Sequence, residues 1–200
     1  MNVPVDPRQK SYDRFKRAFD AGLGVLLLGL LALPMVLIAL AIKGTSPGPV
    51  IHWSFRVGAG NRIFRMPKFR TMRAETPAVA THLLKNPEVY VTGIGKFLRK
   101  TSLDELPQLF SVLQGRMTFV GPRPALFNQE DLIGLRTSRG VHTLKPGITG
   151  WAQVNGRDEL PIPVKVAYDG FYLKNRSMRF DLRIILLTLA KTFRGEGVTH

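Results

Sequence analysis

The chain begins with a polar, basic leader and then runs from Ala21 to Ile42 without a charged residue. That length matches the about 20 residues a helix needs to cross a bilayer. The segment sits behind a long charged leader and is followed by Lys43-Gly44-Thr45-Ser46-Pro47, with no small-residue cleavage site. A cleaved signal peptide is therefore not expected. Two readings of the segment stand. Pro34, past its middle, removes a backbone hydrogen bond and predicts a kink. Both flanks are basic: Arg8, Lys10, Arg14, Lys16 and Arg17 before it, Arg56, Arg62, Arg65, Lys68 and Arg70 after it. Flanks rich in Lys and Arg stay cytoplasmic, so a hairpin that returns to its entry side satisfies both, and a crossing helix satisfies one. A crossing helix stays equally open, because transmembrane helices tolerate proline. Gly22, Gly24 and Gly29 would allow close helix packing.

Beyond the turn-forming stretch Thr45–Pro49 the pattern changes. Val50–Phe55 and Arg62–Arg70 read as strands, with Gly58-Ala59-Gly60-Asn61 as the turn of a hairpin. Glu75–Asn86 reads as an amphipathic helix and Ile94–Lys100 as a short one. Leu106–Leu113 is a third helix, with Ser102 and Glu105 at capping-box spacing, Pro107 in its first turn and Gly115 at its end. Met117–Val120 is extended and closes on Gly121-Pro122-Arg123-Pro124. Helices follow over Asn128–Thr137 and Val164–Asn175, separated by a glycine-rich loop with a short strand over Pro146–Gly156. The last helix, Asp181–Arg194, places Leu182, Ile185, Leu186, Leu189 and Phe193 on one face. Such a face packs on a core or lies on a membrane surface. The chain divides into a leader with its membrane helix, 1–44, and a domain, 45–200.

Charge narrows the partners. The 29 Lys and Arg exceed the 14 Asp and Glu, giving a net +15 over 200 residues. Nucleic acid, an anionic membrane and phosphorylated small molecules all suit that excess. There is no cysteine, which removes disulfides, thiol nucleophiles and cysteine metal sites. The four histidines, His52, His82, His142 and His200, show no metal-ligand spacing. No glycine-rich phosphate fingerprint and no serine nucleophile elbow is present.

Two adjacent carboxylates, Asp104 and Glu105, stand out in so basic a chain. A plain reading exists: acids at a helix start complement its dipole, and Glu105 caps. Their basic surroundings suggest more. Arg99 and Lys100 precede them, Lys68 and Arg70 lie in Lys68-Phe69-Arg70-Thr71-Met72, Arg123 sits in a rigid turn, and Arg157 closes Asn155-Gly156-Arg157. Gathered together, these would bind a pyrophosphate, because guanidinium groups match phosphate oxygens. The carboxylates would bind Mg²⁺, a hard ion that favours carboxylate and phosphate oxygens.

Taken in order, these motifs resemble the bacterial sugar transferase family, the monotopic phosphoglycosyl transferases. The matching stretches are Lys16-Arg17-Ala18-Phe19-Asp20, Ser46-Pro47-Gly48-Pro49, Lys68–Met72, Leu98–Leu109, Val120–Pro124 and Pro146–Arg157. The resemblance implies a helix-dominated, mixed α/β single domain, with a re-entrant N-terminal membrane helix broken near Pro34 and interfacial amphipathic helices. It implies transfer of a sugar-1-phosphate from a UDP-sugar to polyprenyl (undecaprenyl) phosphate, releasing UMP, at the cytoplasmic face of the bacterial inner membrane. Such a step begins O-antigen, capsule, exopolysaccharide or glycoprotein glycan assembly. Asp104 would be the nucleophile that forms a phosphosugar–aspartate intermediate, and Asp104 with Glu105 would hold Mg²⁺. Lys68, Arg70, Arg99 and Arg123 would hold phosphates. Arg157 and Asp169 stand at positions the family keeps near its active site.

Tyr90 stands where many relatives carry arginine, and the chain is expected to be the minimal catalytic form, without the multi-helix extension of larger relatives. The partners implied are the UDP-sugar, the polyprenyl phosphate and membrane lipids, with no nucleic acid; a homo-oligomer is compatible with this reading. Asp158–Pro163 is a candidate for sugar selection. A membrane-anchored nucleic-acid binder would share the charge but leaves the acid pair without a purpose. A non-catalytic scaffold predicts that both acids tolerate amide replacement.

Overall fold

The computed structural model describes residues 7–76, 86–156 and 160–194. It is a helix-dominated, mixed α/β single domain carrying one long apolar N-terminal helix. Seven helices, α1 to α7, and four strands, β1 to β4, are present among the described residues. The helix expected over Glu75–Asn86 lies largely outside them.

Helix α1, Pro7–Thr45, is far longer than the uncharged segment alone. Pro34 lies inside it and does not end it. Its apolar residues divide into two stripes. Leu23, Leu27, Leu31, Met35, Ile38 and Ile42 follow helical spacing and pack on the domain. Leu26, Leu30, Leu33, Leu37 and Leu40 form a second stripe that the domain leaves exposed. It is the one helix among the described residues long and apolar enough to cross a membrane. Water is a poor solvent for that outer stripe, and lipid is a good one.

Both ends of α1 are tied to the same domain. Near its start, Lys16 Nζ and Tyr12 Oη donate to Asp181 Oδ2 at 2.7 and 2.9 Å. Arg17 donates to the carbonyls of Val112 and Leu113 at 2.7 and 2.5 Å. Buried Asp20 accepts from Thr118 Oγ1 at 2.6 Å and the Phe119 amide at 3.2 Å. Near its finish, fully buried Ile42 packs with Phe69 and Leu98.

The hairpin follows at once. Strands β1, Ile51–Val57, and β2, Ile63–Phe69, pair antiparallel from Ile51↔Phe69 to Val57↔Ile63. Gly60 and Asn61 take positive φ in the turn. Helix α2, Gly93–Thr101, starts on Thr92, whose hydroxyl accepts from the Gly95 amide at 3.0 Å. A 3₁₀ turn, Leu103–Glu105, leads into α3, Gln108–Leu113. The expected capping box does not form. Ser102 is in the left-handed region, φ 57°, and ends α2 instead of opening α3, with no side-chain cap bond. Ser102 both closes α2 and opens the 3₁₀ turn that holds Glu105, so α3 starts beyond it at Gln108.

Strand β3, Thr118–Val120, pairs parallel with β4, Gly147–Thr149. Glycine is needed at this crossing. A Cβ on Gly147 would lie 2.2 Å from the Gly121 amide nitrogen, and one on Gly150 2.1 Å from the Gly121 carbonyl. Helix α6, Ile162–Asn175, packs against α4, Glu130–Ser138, and α5, Trp151–Val154.

Helix α7, Met178–Arg194, turns most of its predicted apolar face away from the core. Leu182, Leu186 and Leu189 are exposed, Ile185 packs partly on the core, and Asp181 and Ile184 are buried. Thr188 Oγ1 meets Thr149 Oγ1 at 2.7 Å on the buried side. The Phe193 side chain lies outside the described part. The helix is apolar on two sides, and the core took the side with the polar partners.

Candidate functional site

The acid pair is fixed by the residues on either side of it. Leu103 and Leu106, three apart in one tight turn, both pack into the cluster formed by Ile42, Phe69 and Leu98. With those leucines docked, Asp104 and Glu105 between them reach toward β2 instead. Lys68 on β2 meets them: Nζ is 2.7 Å from Glu105 Oε1 and 3.8 Å from Asp104 Oδ2. Arg123 Nη2 lies 3.6 Å from the same Glu105 oxygen. All four side chains are partly shielded from water, so their mutual fields are stronger than on an open surface.

Glu105 is thus spent on Lys68, not on a helix cap. Arg99 stands behind the pair. Its Nε donates to Thr71 Oγ1 at 2.9 Å. Burial lowers its pKa from the usual value and the neighbouring Asp104 charge opposes that; a guanidinium stays charged regardless. The structure therefore gathers Lys68, Arg99 and Arg123 around Asp104 and Glu105.

It does not gather the others. Arg70 is buried and faces the Ser46-Pro47-Gly48-Pro49 turn. Its Nη2 donates to the Ser46 carbonyl at 2.9 Å and the Ser46 hydroxyl at 2.7 Å, and its Nη1 donates to the Pro47 carbonyl. This arginine braces the exit of the long apolar helix. Asp169 is also turned elsewhere, accepting from Arg136 at 2.7 Å. Burial pushes its carboxyl up, and the Arg136 charge opposes that. Arg157, with Asp158 and Glu159 of the expected sugar-selecting stretch, lies outside the described residues.

Sequence reasoning missed Arg136, Arg56 and the Tyr12–Tyr172–Asp181 cluster. Nothing local marks them; each acquires its part only through a partner distant in the chain. Burial and the adjacent Asp181 carboxylate push both tyrosine pKa values far above the ordinary phenol range, so these hydroxyls remain donors.

No group of three or more His, Cys, Asp or Glu able to hold a metal occurs among the described residues. Mg²⁺ does not require one. It is commonly held by one or two carboxylates with waters and substrate phosphates, and Asp104 with Glu105 fit that donor set.

His52 pairs across the hairpin with Lys68. Partial desolvation, then the Lys68 and Arg56 charges, lower its pKa from 6.5. The unfolded chain then takes up this proton at higher pH than the folded one. Stability from this group is full above pH 6.5 and is lost as pH falls through the lower folded value. Thermal melts from about pH 7.5 to about pH 5 should fall more steeply for wild type than for His52→Gln. Parallel curves would remove His52 from the acid response.

The bacterial sugar transferase profile matches residues 11–195. A UDP-glucose:undecaprenyl-phosphate glucose-1-phosphate transferase of Escherichia coli K12 is 43% identical over 91% of this chain and 41% of its own length. A protein of the same name from Xanthomonas campestris is 46% identical over 95% of this chain and 42% of its own. An uncharacterized sugar transferase of Bacillus subtilis, EpsL, is 37% identical over 92% of this chain and 89% of its own. The chain thus spans about two fifths of the first two relatives.

Proposed function

Since the chain belongs to the bacterial sugar transferase family, we propose that it transfers a sugar-1-phosphate from a UDP-sugar to undecaprenyl phosphate, releasing UMP. The observation that carries this reading is the acid pair, Asp104 and Glu105, held against Lys68, Arg99 and Arg123 beside the exit of an apolar helix. Three cations suit a diphosphate, and the helix brings the site to lipid.

In the proposed sequence Lys68, Arg99 and Arg123 hold the diphosphate oxygens. An Asp104 carboxylate oxygen attacks the β-phosphorus. The bond from that phosphorus to the bridging oxygen breaks, UMP leaves with the electron pair, and the phosphosugar is joined to Asp104 as an acyl phosphate. A phosphate oxygen of undecaprenyl phosphate then attacks the same phosphorus and the aspartate departs as carboxylate. Glu105, bound to Lys68, keeps that ammonium aimed at the reacting phosphate. Mg²⁺ bound by Asp104 and Glu105 would neutralise charge on the diphosphate.

The domain 45–200 does the chemistry and 1–44 places it. A re-entrant α1 is part of the reading. The helix is continuous through Pro34, yet both its ends are bound to one domain, which supports a return to the entry side. Both basic flanks then lie in the cytoplasm at the inner membrane. Cysteines placed at Asn2 and Thr199 should both resist a periplasmic thiol reagent, and labelling at only one of them would mean a true crossing.

The chemical test needs no acceptor. Purified protein is mixed with Mg²⁺ and a panel of UDP-sugars and weighed intact. A phosphosugar adduct supports the covalent route and names the sugar. UMP release only with undecaprenyl phosphate, and no adduct, favours direct transfer. No UMP release under any condition rejects the transferase reading.

A further inference from the structure

Arg123 reaches the acid pair from a turn, and the turn is held by two other arginines. Arg136 on α4 is buried. Its Nε and Nη2 donate to one oxygen of Asp169 at 3.0 and 2.7 Å. Its Nη1 donates to the main-chain carbonyl of Arg123 at 2.8 Å. From the hairpin side, Arg56 Nη1 donates to the Pro124 carbonyl at 3.2 Å, and the Val57 amide donates to the Ala125 carbonyl at 3.0 Å. The guanidinium is planar, so fixing two of its donors on Asp169 also fixes the direction of the third.

A buried ion pair is poor value as a stabiliser, because desolvation offsets the attraction. Asp169 is 1% exposed and Arg136 7%. What the pair does accomplish is directional: it points one N–H at the backbone of the residue whose side chain faces Glu105. We infer that Arg136, oriented by Asp169, is a positioning residue, which sets the Arg123 backbone so that the Arg123 guanidinium meets the donor diphosphate. This inference rests on the donor reading above. It gives Asp169 a part in the reaction without contact with substrate.

The test uses the full chain in lipid nanodiscs, with Arg136→Lys, Asp169→Asn and Arg123→Lys alone and combined. The probe is the UDP-sugar of the panel that releases UMP fastest. Arg136→Lys keeps the charge but cannot hold both partners at once. Its turnover should fall about 10- to 100-fold, the scale of a small misplacement. In the Arg123→Lys background the further loss should shrink to within about twofold. Amide exchange at Arg123, Ala125 and Leu126 should rise while that of Leu109 and Val112 stays unchanged.

Losses that multiply fully in the double variant, or unchanged exchange at the turn, would overturn the inference. Should Arg136→Lys fail to fold, Arg56→Lys loosens the same turn from the half-buried hairpin side and is put through the same cycle. If wild type releases no UMP from any UDP-sugar, the donor reading fails. The exchange measurement then decides the clamp alone: a loosened turn sustains it and an unchanged one ends it.

Discussion

Asp104→Asn should abolish the phosphosugar adduct and lower UMP release by about three orders of magnitude or more, the scale seen when a catalytic nucleophile is removed. The amide keeps the size of the carboxylate and loses its charge and nucleophilicity. Leu103 and Leu106 hold the turn through apolar packing that the change leaves intact, so the melting temperature should move little. Glu105→Gln tests the neighbouring part. It weakens the 2.7 Å contact to Lys68 and should reduce turnover strongly while still allowing some adduct to form. The decisive measurement is intact mass after incubation with the donor, alongside a melt on the same sample. A folded Asp104→Asn protein that still carried the phosphosugar would place the nucleophile elsewhere. Near-normal turnover in Glu105→Gln would reduce that residue to a structural contact.

Asp181→Ala should produce the second large effect, on stability and not on chemistry. Asp181 is buried, and three groups converge on it: Lys16 Nζ at 2.7 Å, Tyr12 Oη at 2.9 Å and Tyr172 Oη at 2.8 Å. Truncation leaves a largely buried ammonium and two hydroxyls without their acceptor. Removing one partner of such a pair costs about 3–5 kcal/mol. Tyr12→Phe removes the contacts to Asp181 at 2.9 Å and Tyr172 at 3.3 Å but strands no charge, and should cost about 1–2 kcal/mol. Denaturation in detergent, read by loss of helical signal, compares the two. If Asp181→Ala melted like wild type, the cluster would not be what ties α1 to α7. Because this cluster anchors the start of α1, its loss should also expose the leader to protease before the domain itself melts.

Much of this was legible along the chain because it depends on near neighbours. The uncharged run Ala21–Ile42, the hairpin around Gly58–Asn61 and the helix over Val164–Asn175 all come from patterns in consecutive residues. The acid pair was equally visible, not by adjacency alone, which Glu130-Asp131 and Asp158-Glu159 share, but by Arg99 and Lys100 just before it. The capping box at Ser102 failed for a reason no short window contains: α2 runs to Thr101, and the chain must reverse at Ser102 before α3 can start. Arg70 is expected at the site from its basic motif and Asp169 from the family resemblance; the partners they meet, Ser46 and Arg136, lie far off in the sequence.

Consecutive residues alone specify an apolar helix between basic flanks, a hairpin, and the Asp104-Glu105 pair set among cations. These follow from hydrophobic period, turn chemistry and charge, each a property of consecutive residues. The tertiary structure alone decided which cations face the carboxylates and which brace the backbone. It also decided which side of α7 is buried and that both ends of α1 hold the same domain. Those outcomes depend on where distant side chains lose water together, and a buried charge is tolerated only where the fold supplies its partner.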